Sequence, residues 1–429
     1  MTSAIQPTVI VLGPPEARES TRTDVLTRLV IAYAALLPFQ VEVSKMVRFS
    51  VGDLVLMLAI LVVPGQIKYR KETWSGWHYG LLALFAVSTL MVATKTGSLE
   101  QYVYLNKDAG LLFLFFAYAL IASSINGWLR LRRVLRAFVI SVVLQNLVGI
   151  VAWVASTRFG IDSILVGDNG LRLCGMMGDA NAYGGLLICA LVICEGASFG
   201  RSPLFKTGFL MFSRITLAAG LLVSFSRTAW IALSLVFLCL LFTRFKTAIR
   251  ALFILLCGSA VTMLVMGRQF LSLFEALAFR HEVATGEGRT RFDLVSTGLE
   301  GFSKHPFFGM GIGSFIAQEG TIVHNTAIWF LTEFGLIGVT VFVGFVLWFF
   351  WKGRVAYRTT PEREKPVVFG LLLGYVAMGG MAMGIEAFYQ RHWWLIFSLI
   401  ACSYSIARRQ RRMRVVYAPV SNDSDSRSA

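Results

Sequence analysis

Four arginines, one histidine and one asparagine stand where this sequence could do chemistry. Arg227 lies in the short polar interruption from Ser224 to Thr228, between two apolar runs. Arg289 and Arg291 follow Gly288 and open a stretch in which Phe292, Val295, Leu299 and Phe302 recur at i, i+3, i+7 and i+10. Arg172 begins a glycine-containing segment that closes on Asn181, and His324 precedes Asn325 at the mouth of another apolar run. A guanidinium is a planar fork that holds phosphate oxygens bidentately, each charge-assisted bond contributing about 1.5–3 kcal/mol. An imidazole, with an ordinary pKa of about 6.5, can take a proton from a hydroxyl. Together these residue types suit transfer at an anionic, phosphate-like group.

Each residue also has a plainer reading. Arg227 at bilayer depth costs about 3 kcal/mol, so it is a functional candidate by default, against a role as a snorkelling or structurally paired side chain. Arg289 and Arg291 precede an amphipathic helix suited to a membrane surface or the roof of a bundle, where attraction to anionic lipid would explain them equally well. Asn181 suits a helix cap, and His324 could be a capping or interfacial histidine. His305 precedes Pro306 and shapes a turn. His392 follows Arg391 and is flanked by Trp393 and Trp394, which reads as an interfacial aromatic belt. Glu333 comes nine residues after His324, which on a helix is roughly 900° around and about 13 Å deeper, so the two are not paired. Asp423 and Asp425 form a D-x-D in a polar tail, a coincidence of composition.

The elements that must hold these residues are membrane helices. The chain has 429 residues, 56% hydrophobic and 15% charged, with mean hydropathy +0.67. Several apolar runs approach the roughly 20 residues that cross a bilayer. The net charge of +16 does not point to nucleic acid, because the basic residues form short clusters between apolar runs rather than one face. The six cysteines carry no metal or redox spacing. No metal-ligand set, Walker loop or H-E-x-x-H is present. No removable signal peptide is expected in residues 1–24.

Twelve spans are expected, at about 29–43, 50–65, 77–94, 109–125, 137–156, 182–198, 208–225, 228–243, 249–266, 327–351, 367–385 and 393–407. Alternate loops are strongly basic, among them those holding Arg70, Arg132, Arg136, Arg244, Lys352 and Arg408. The positive-inside rule then puts both termini, residues 1–24 and 408–429, in the cytoplasm and the loop 267–326 outside. Residues 208–243 as one helix would be roughly 54 Å long against a hydrocarbon core of roughly 30 Å. Uninterrupted, they would also send the arginine-rich tail outside. Length and parity therefore require a break at Ser224 to Thr228. The expected fold is an all-α integral membrane bundle of about twelve helices with one large external loop carrying short helices.

The order of these segments is familiar. Ser226-Arg227 with Trp230 resembles the "SR" motif of the O-antigen ligase and polysaccharide polymerase family. The run from Arg291 through His305-Pro306, Gly309 to Gly313, His324-Asn325 and Glu333 to Gly338 looks like that family's large periplasmic loop and re-entry helix. Arg172 to Gly175 with Asn181 is similar to its smaller outer-loop motif, although Ala180 stands where a proline is common. Gly288-Arg289 and Arg291 compete for the single Gly-Arg of the family, and spacing to His305 favours Arg291. The resemblance implies a GT-C-like membrane glycosyltransferase in a bacterial inner membrane. It would pass a glycan from undecaprenyl diphosphate to a glycan or lipid A–core acceptor with inversion, without a metal or other cofactor. Arg227, with Arg291 or Arg289 and help from Arg172, would steady the departing diphosphate. His324 would deprotonate or orient the acceptor hydroxyl. The competing reading is a polytopic transporter or lipid-linked glycan flippase, and a bland scaffold in an envelope assembly is a third.

Overall fold

The computed structural model describes residues 24–44, 47–62, 65, 67–96, 102–167, 171–200, 202–267 and 290–416. The polar N-terminal segment, the Ser/Asp-rich tail and Arg289 lie outside them. The described chain is almost wholly helical. The long helices are α1 (Val25–Leu36), α2 (Val51–Val62), α3 (Gly76–Thr96), α4 (Tyr102–Ser124), α5 (Trp128–Phe159), α6 (Ala180–Gly196), α7 (Thr207–Val223), α8 (Arg227–Thr243) and α9 (Phe245–Met266). Two shorter helices follow, α10 (Arg291–Lys304) and α11 (Ser314–Glu319), then α12 (Thr326–Thr359), α13 (Lys365–Ala382) and α14 (Arg391–Val416). Among the described residues, strands form two antiparallel ribbons, β1 (Gln40–Ser44) with β2 (Val47–Ser50) and β3 (Val166–Gly167) with β4 (Arg172–Leu173).

Among the described residues, five helices are long and apolar enough to cross a membrane: α3, α4 from Lys107, α5, α12 and α13. Five shorter ones, α1, α2, α6, α7 and α8, are also predominantly apolar. The first expected span is corrected. Rather than spanning 29–43, α1 stops at Leu36 and the chain turns at Pro38 into the β1–β2 ribbon. Pro38 has no N–H to continue the ladder, so Leu37, itself still helical with φ −54° and ψ −39°, makes the last i→i−4 bond of α1. Between α7 and α8 the chain breaks at Ser224 to Ser226, where Phe225 has φ 47°.

The basic clusters gather at one end of the bundle, where they tie helix ends together. Arg130 donates to Asp24 at 2.9 Å, and Arg132 donates to Glu364 at 2.8 Å and to the Pro203 carbonyl at 3.0 Å. Arg136 donates to the Leu204 carbonyl, Arg70 to those of Ser123 and Ile125, and Arg409 to that of Asn126. Arg70 and Arg409 thus satisfy carbonyls at the C-terminus of α4, and Arg132 and Arg136 those of the loop before α7. Deeper in the bundle, Arg214 of α7 and Glu195 of α6 form a buried bidentate pair. The opposite end is built from the Ser224–Ser226 break, the segment before α6, and the starts of α10, α12 and α14. That end carries the candidate residues.

Helix α12 is two helices. Gly335 has φ 64° and ψ −159°, which breaks the run into halves 326–334 and 336–359. This corrects the expectation of an unbroken span over 327–351. A break inside a membrane protein must satisfy the backbone groups that it frees. The segment after α10 does so. Met310 N–H donates to the Thr332 carbonyl at 2.9 Å, and Gly311 N–H to that of Glu333 at 3.0 Å. In return, Leu336 N–H donates to the Pro306 carbonyl at 2.9 Å and Ile337 N–H to that of Phe307 at 3.3 Å. The stretch from Pro306 to Gly311 is therefore an internal plug for a broken helix.

Candidate functional site at the helix N-termini

The Ser224–Ser226 turn is braced from outside. Arg172 donates from Nε to the Ser224 carbonyl at 3.1 Å and from its terminal nitrogen to the Phe225 carbonyl and to Asn181 Oδ1, both at 3.3 Å. Ser226 Oγ donates to Asn181 Oδ1 at 3.0 Å and accepts from Ala229 N–H at 3.2 Å, capping α8. A positive φ on a phenylalanine is a strained conformation, costing about 1–3 kcal/mol. The carbonyl bonds from Arg172 hold it in place. The structure thus joins Arg172, Asn181 and Ser226 in one network whose evident result is the position of the next residue, Arg227.

Arg227 is the first residue of α8 and its side chain is exposed. The N-terminus of a helix carries unsatisfied N–H groups and the positive end of the backbone dipole. A cation is unfavourable there by itself, but a cation together with that end makes an anion site. Arg291 repeats the arrangement as the first residue of α10, half-buried, behind a capping box in which Thr290 and Asp293 cap each other. Its guanidinium donates to the Gly384 carbonyl at 3.2 Å.

The third N-terminus is that of α12. Asn325 accepts from Ile328 N–H at 3.0 Å and donates from Nδ2 to the Met383 carbonyl at 3.0 Å. Thr326 Oγ1 donates to the Ile385 carbonyl and accepts from Ala387 N–H, both at 2.9 Å. His324 is half-buried just before this cap, with φ 56°.

Sequence reasoning missed what these three elements share, the crossing Met383–Glu386 after α13. Its successive carbonyls hold Asn325, Arg291 and Thr326. A Cβ on Gly384 would lie 2.6 Å from Thr228 Oγ1, so the crossing packs directly on the residue after Arg227. Gly384 thus accepts from Arg291 and packs on Thr228, the neighbour of Arg227, while Met383 beside it accepts from Asn325, the neighbour of His324. The sequence signal was slight, since the binding groups are backbone carbonyls, which every residue has. Only the glycine at the end of an apolar run marked the spot.

Other expected residues fall elsewhere. In α10 the expected stripe does not all face the bundle: Phe292 is 87% exposed and Leu299 is 43% exposed. The packed face is Leu294, Gly298 and Gly301, because the glycines let α10 approach α12 closely enough for Thr332 Oγ1 to donate to the Gly298 carbonyl at 3.0 Å. Of the stripe, Val295 packs against the core, while Phe292 and Leu299 are turned outward, as suits a helix lying against lipid. His305 is an exposed helix C-cap. The aromatic-belt reading of His392, Trp393 and Trp394 is corrected: all three are buried, inside the contacts of α14. Glu333 pairs with Lys107 of α4 at 3.5 Å. Arg289 lies outside the described residues. Among the described residues, no three His, Cys, Asp or Glu side chains stand close enough together to hold a metal ion.

A cavity of about 490 Å³ runs along α8 from Trp230 to Leu240, walled by α6, α7, α9 and α13. It begins one turn inside Arg227. Its lining is apolar apart from Glu195 and Ser234.

Fold and site together define a multi-pass helical membrane protein with cationic side chains at converging helix N-termini. The profile of the family described as O-antigen ligase (Wzy_C) matches residues 212–343, a stretch that contains Arg227, Arg291 and His324. The match supports placing the chain in an O-antigen ligase-like family. No curated protein matches the chain.

Proposed function

We propose that the protein transfers a glycan from a polyprenyl diphosphate, of the undecaprenyl type, to a glycan or lipid A–core acceptor at the outer face of a bacterial inner membrane. It belongs on this reading to the synthesis of a surface polysaccharide. The single observation that carries the reading is the docking of Arg291 and the His324-Asn325 cap on the Met383–Glu386 crossing, beside the Arg227 turn. In the proposed mechanism, Arg227 and Arg291 cradle the diphosphate, helped by the N-terminal amides of α8 and α10, and stabilise the charge that grows as the sugar–phosphate bond breaks. Arg289 would add to the same field. Arg172 and Asn181 serve chiefly by holding the turn that aims Arg227. His324 takes the proton of the acceptor hydroxyl as it attacks the anomeric carbon from the face opposite the diphosphate, giving inversion. The apolar cavity along α8 suits the polyprenyl chain. Guanidinium groups take the place of a divalent cation here, so no metal is required. Twelve spans with both termini in the cytoplasm put these groups outside.

Replacement of His324 by alanine is expected to lower the turnover of purified protein by about 10²–10⁴-fold, the usual worth of a general base. Donor affinity should stay within a few-fold, because the imidazole faces the acceptor. The assay is single-turnover transfer from an undecaprenyl-diphosphate-linked glycan. Unchanged turnover would remove His324 from the mechanism.

A second reading, as a lipid-linked glycan flippase, is favoured by one observation, the discontinuous helix at Gly335, since transporters build their sites from broken helices. Here the break is filled by Pro306 to Gly311 rather than open to a cavity, which favours transfer. Movement of donor across proteoliposomes that contain no acceptor would support the flippase.

A further inference from the structure

Lys107 projects from α4 into the bundle, with 12% of its side chain exposed. Its ammonium lies 2.8 Å from Glu386 Oε1, 3.5 Å from Glu333 Oε2 and 4.5 Å from the centre of the Trp329 ring. Trp329 Nε1 in turn donates to Glu333 Oε2 at 2.6 Å. One cation therefore joins three elements: α4, the first half of the broken helix α12, and the crossing after α13.

The two elements joined to α4 are those that carry the candidate site. The first half of α12 begins at the Asn325 cap beside His324 and ends with Glu333 at the break. The crossing holds Arg291 through the Gly384 carbonyl, two residues before Glu386. Two carboxylates brought together inside a bundle repel each other unless a cation stands between them. A lysine is a compact charge with three donors, able to serve both carboxylates and the ring face at once.

We propose that Lys107 is a positioning residue for the transfer site. It clamps the His324-bearing half of α12 to the crossing that holds Arg291, and so fixes the spacing between the base and the diphosphate cradle. Lys107 touches neither substrate. The inference rests on the reading of that site as a diphosphate-dependent transfer centre.

The test uses the full-length protein in lipid nanodiscs, with undecaprenyl-diphosphate-linked glycan as donor. Lys107→Met is expected to lower kcat by about 10–100-fold while KM for the donor moves less than about 3-fold, the signature of misplaced groups rather than lost binding. Amide hydrogen exchange in residues 384–390 and 326–333 should quicken about 10-fold or more in the same variant. Lys107→Arg should restore both. Lys107→Met with Glu386→Gln keeps the net charge of the cluster but lacks the clamp, and should behave as Lys107→Met does. Wild-type exchange in Lys107→Met and in the double variant would overturn the proposal, and so would faster exchange with unchanged kcat. If Arg227→Ala and Arg291→Ala retained full transfer, the diphosphate reading would fail by itself. The exchange contrast would then decide alone whether Lys107 is a clamp.

Discussion

Arg227→Ala, in a protein that still inserts and folds, is expected to lose transfer by about 10²–10³-fold, and Arg227→Ala with Arg291→Ala by more than either alone. That is the range seen when one preorganised donor to a developing negative charge is removed. Arg227 is the first residue of α8, on a turn that the Arg172–Asn181–Ser226 network holds in a strained conformation. Thr228 beside it packs on Gly384, which accepts from Arg291. Such investment in aiming one exposed guanidinium is hard to explain by general attraction to anionic headgroups, which needs no defined geometry. Arg227→Lys is not a conservative control, because a point charge cannot hold two phosphate oxygens as the planar fork does. It should recover only part of the loss. Initial rates of transfer and donor dissociation constants for the wild type and the four variants, each shown to be folded by its thermal transition, are the measurements.

The second large effect is structural. Gly335→Val is expected to give a protein that accumulates poorly or unfolds far below the wild-type temperature. Gly335 has φ 64° and ψ −159°, a conformation essentially limited to glycine. A Cβ there would lie 2.5 Å from the Phe307 carbonyl carbon and oxygen and 2.7 Å from Gly309 N. Those atoms are backbone and cannot move aside, because Phe307 also accepts from Ile337 N–H at 3.3 Å. The strain alone is worth about 1–3 kcal/mol. Expelling the Pro306–Gly311 plug adds the cost of backbone groups left unpaired in a bundle. Gly335→Ala should be milder in stability yet still poor in transfer, since the direction of the first half of α12 sets where His324 stands. Size-exclusion profiles after graded heating, read beside transfer rates, check both. A stable and active Gly335→Val protein would mean that the break is dispensable.

Much of this architecture was legible because membrane helices announce themselves by apolar length. Helices α2, α3, α6, α7, α8, α9 and α13 begin and end within about four residues of the expected runs, whereas α4 and α5 start seven and nine residues earlier and α12 and α14 run eight and nine residues further. The break before Arg227 followed from the length of 208–243 and the parity of basic loops. The exceptions have local causes. Phe39, Val41 and Val43 after Pro38 keep hydropathy high enough to carry the first span to 43, although they alternate with Gln40 and Glu42 as a strand and the helix ends at Leu36. The break at Gly335 is hidden because Phe334, Gly335 and Leu336 read as a continuous apolar run. Its partner, the glycine-rich segment from Gly309, is recognisable as a motif, but the motif does not say that it repairs a helix.

The site was legible as residues and not as an assembly. Arg227, Arg291 and His324 stand out as polar groups at span boundaries, whereas the Met383–Glu386 crossing binds through main-chain carbonyls, which leave no mark on side-chain pattern. Arg172 shows the reverse, a conspicuous arginine whose hydrogen bonds go to the carbonyls of a turn. Lys107 and Glu386 are far apart in sequence, and no local spacing could join them. His392, Trp393 and Trp394 look like an interfacial cluster by type, yet lie buried because the packing of α14 decides their burial.

The central claim is that arginines at converging helix N-termini do the work of a divalent cation on a diphosphate leaving group. Its most direct test is the rate of glycan transfer by the purified full-length protein in saturating EDTA, compared with the rate in added magnesium or manganese. The account predicts the same rate in both, and a collapse of that rate in Arg227→Ala which added metal does not repair. A wild-type enzyme that is inactive in EDTA and restored by either metal would contradict it.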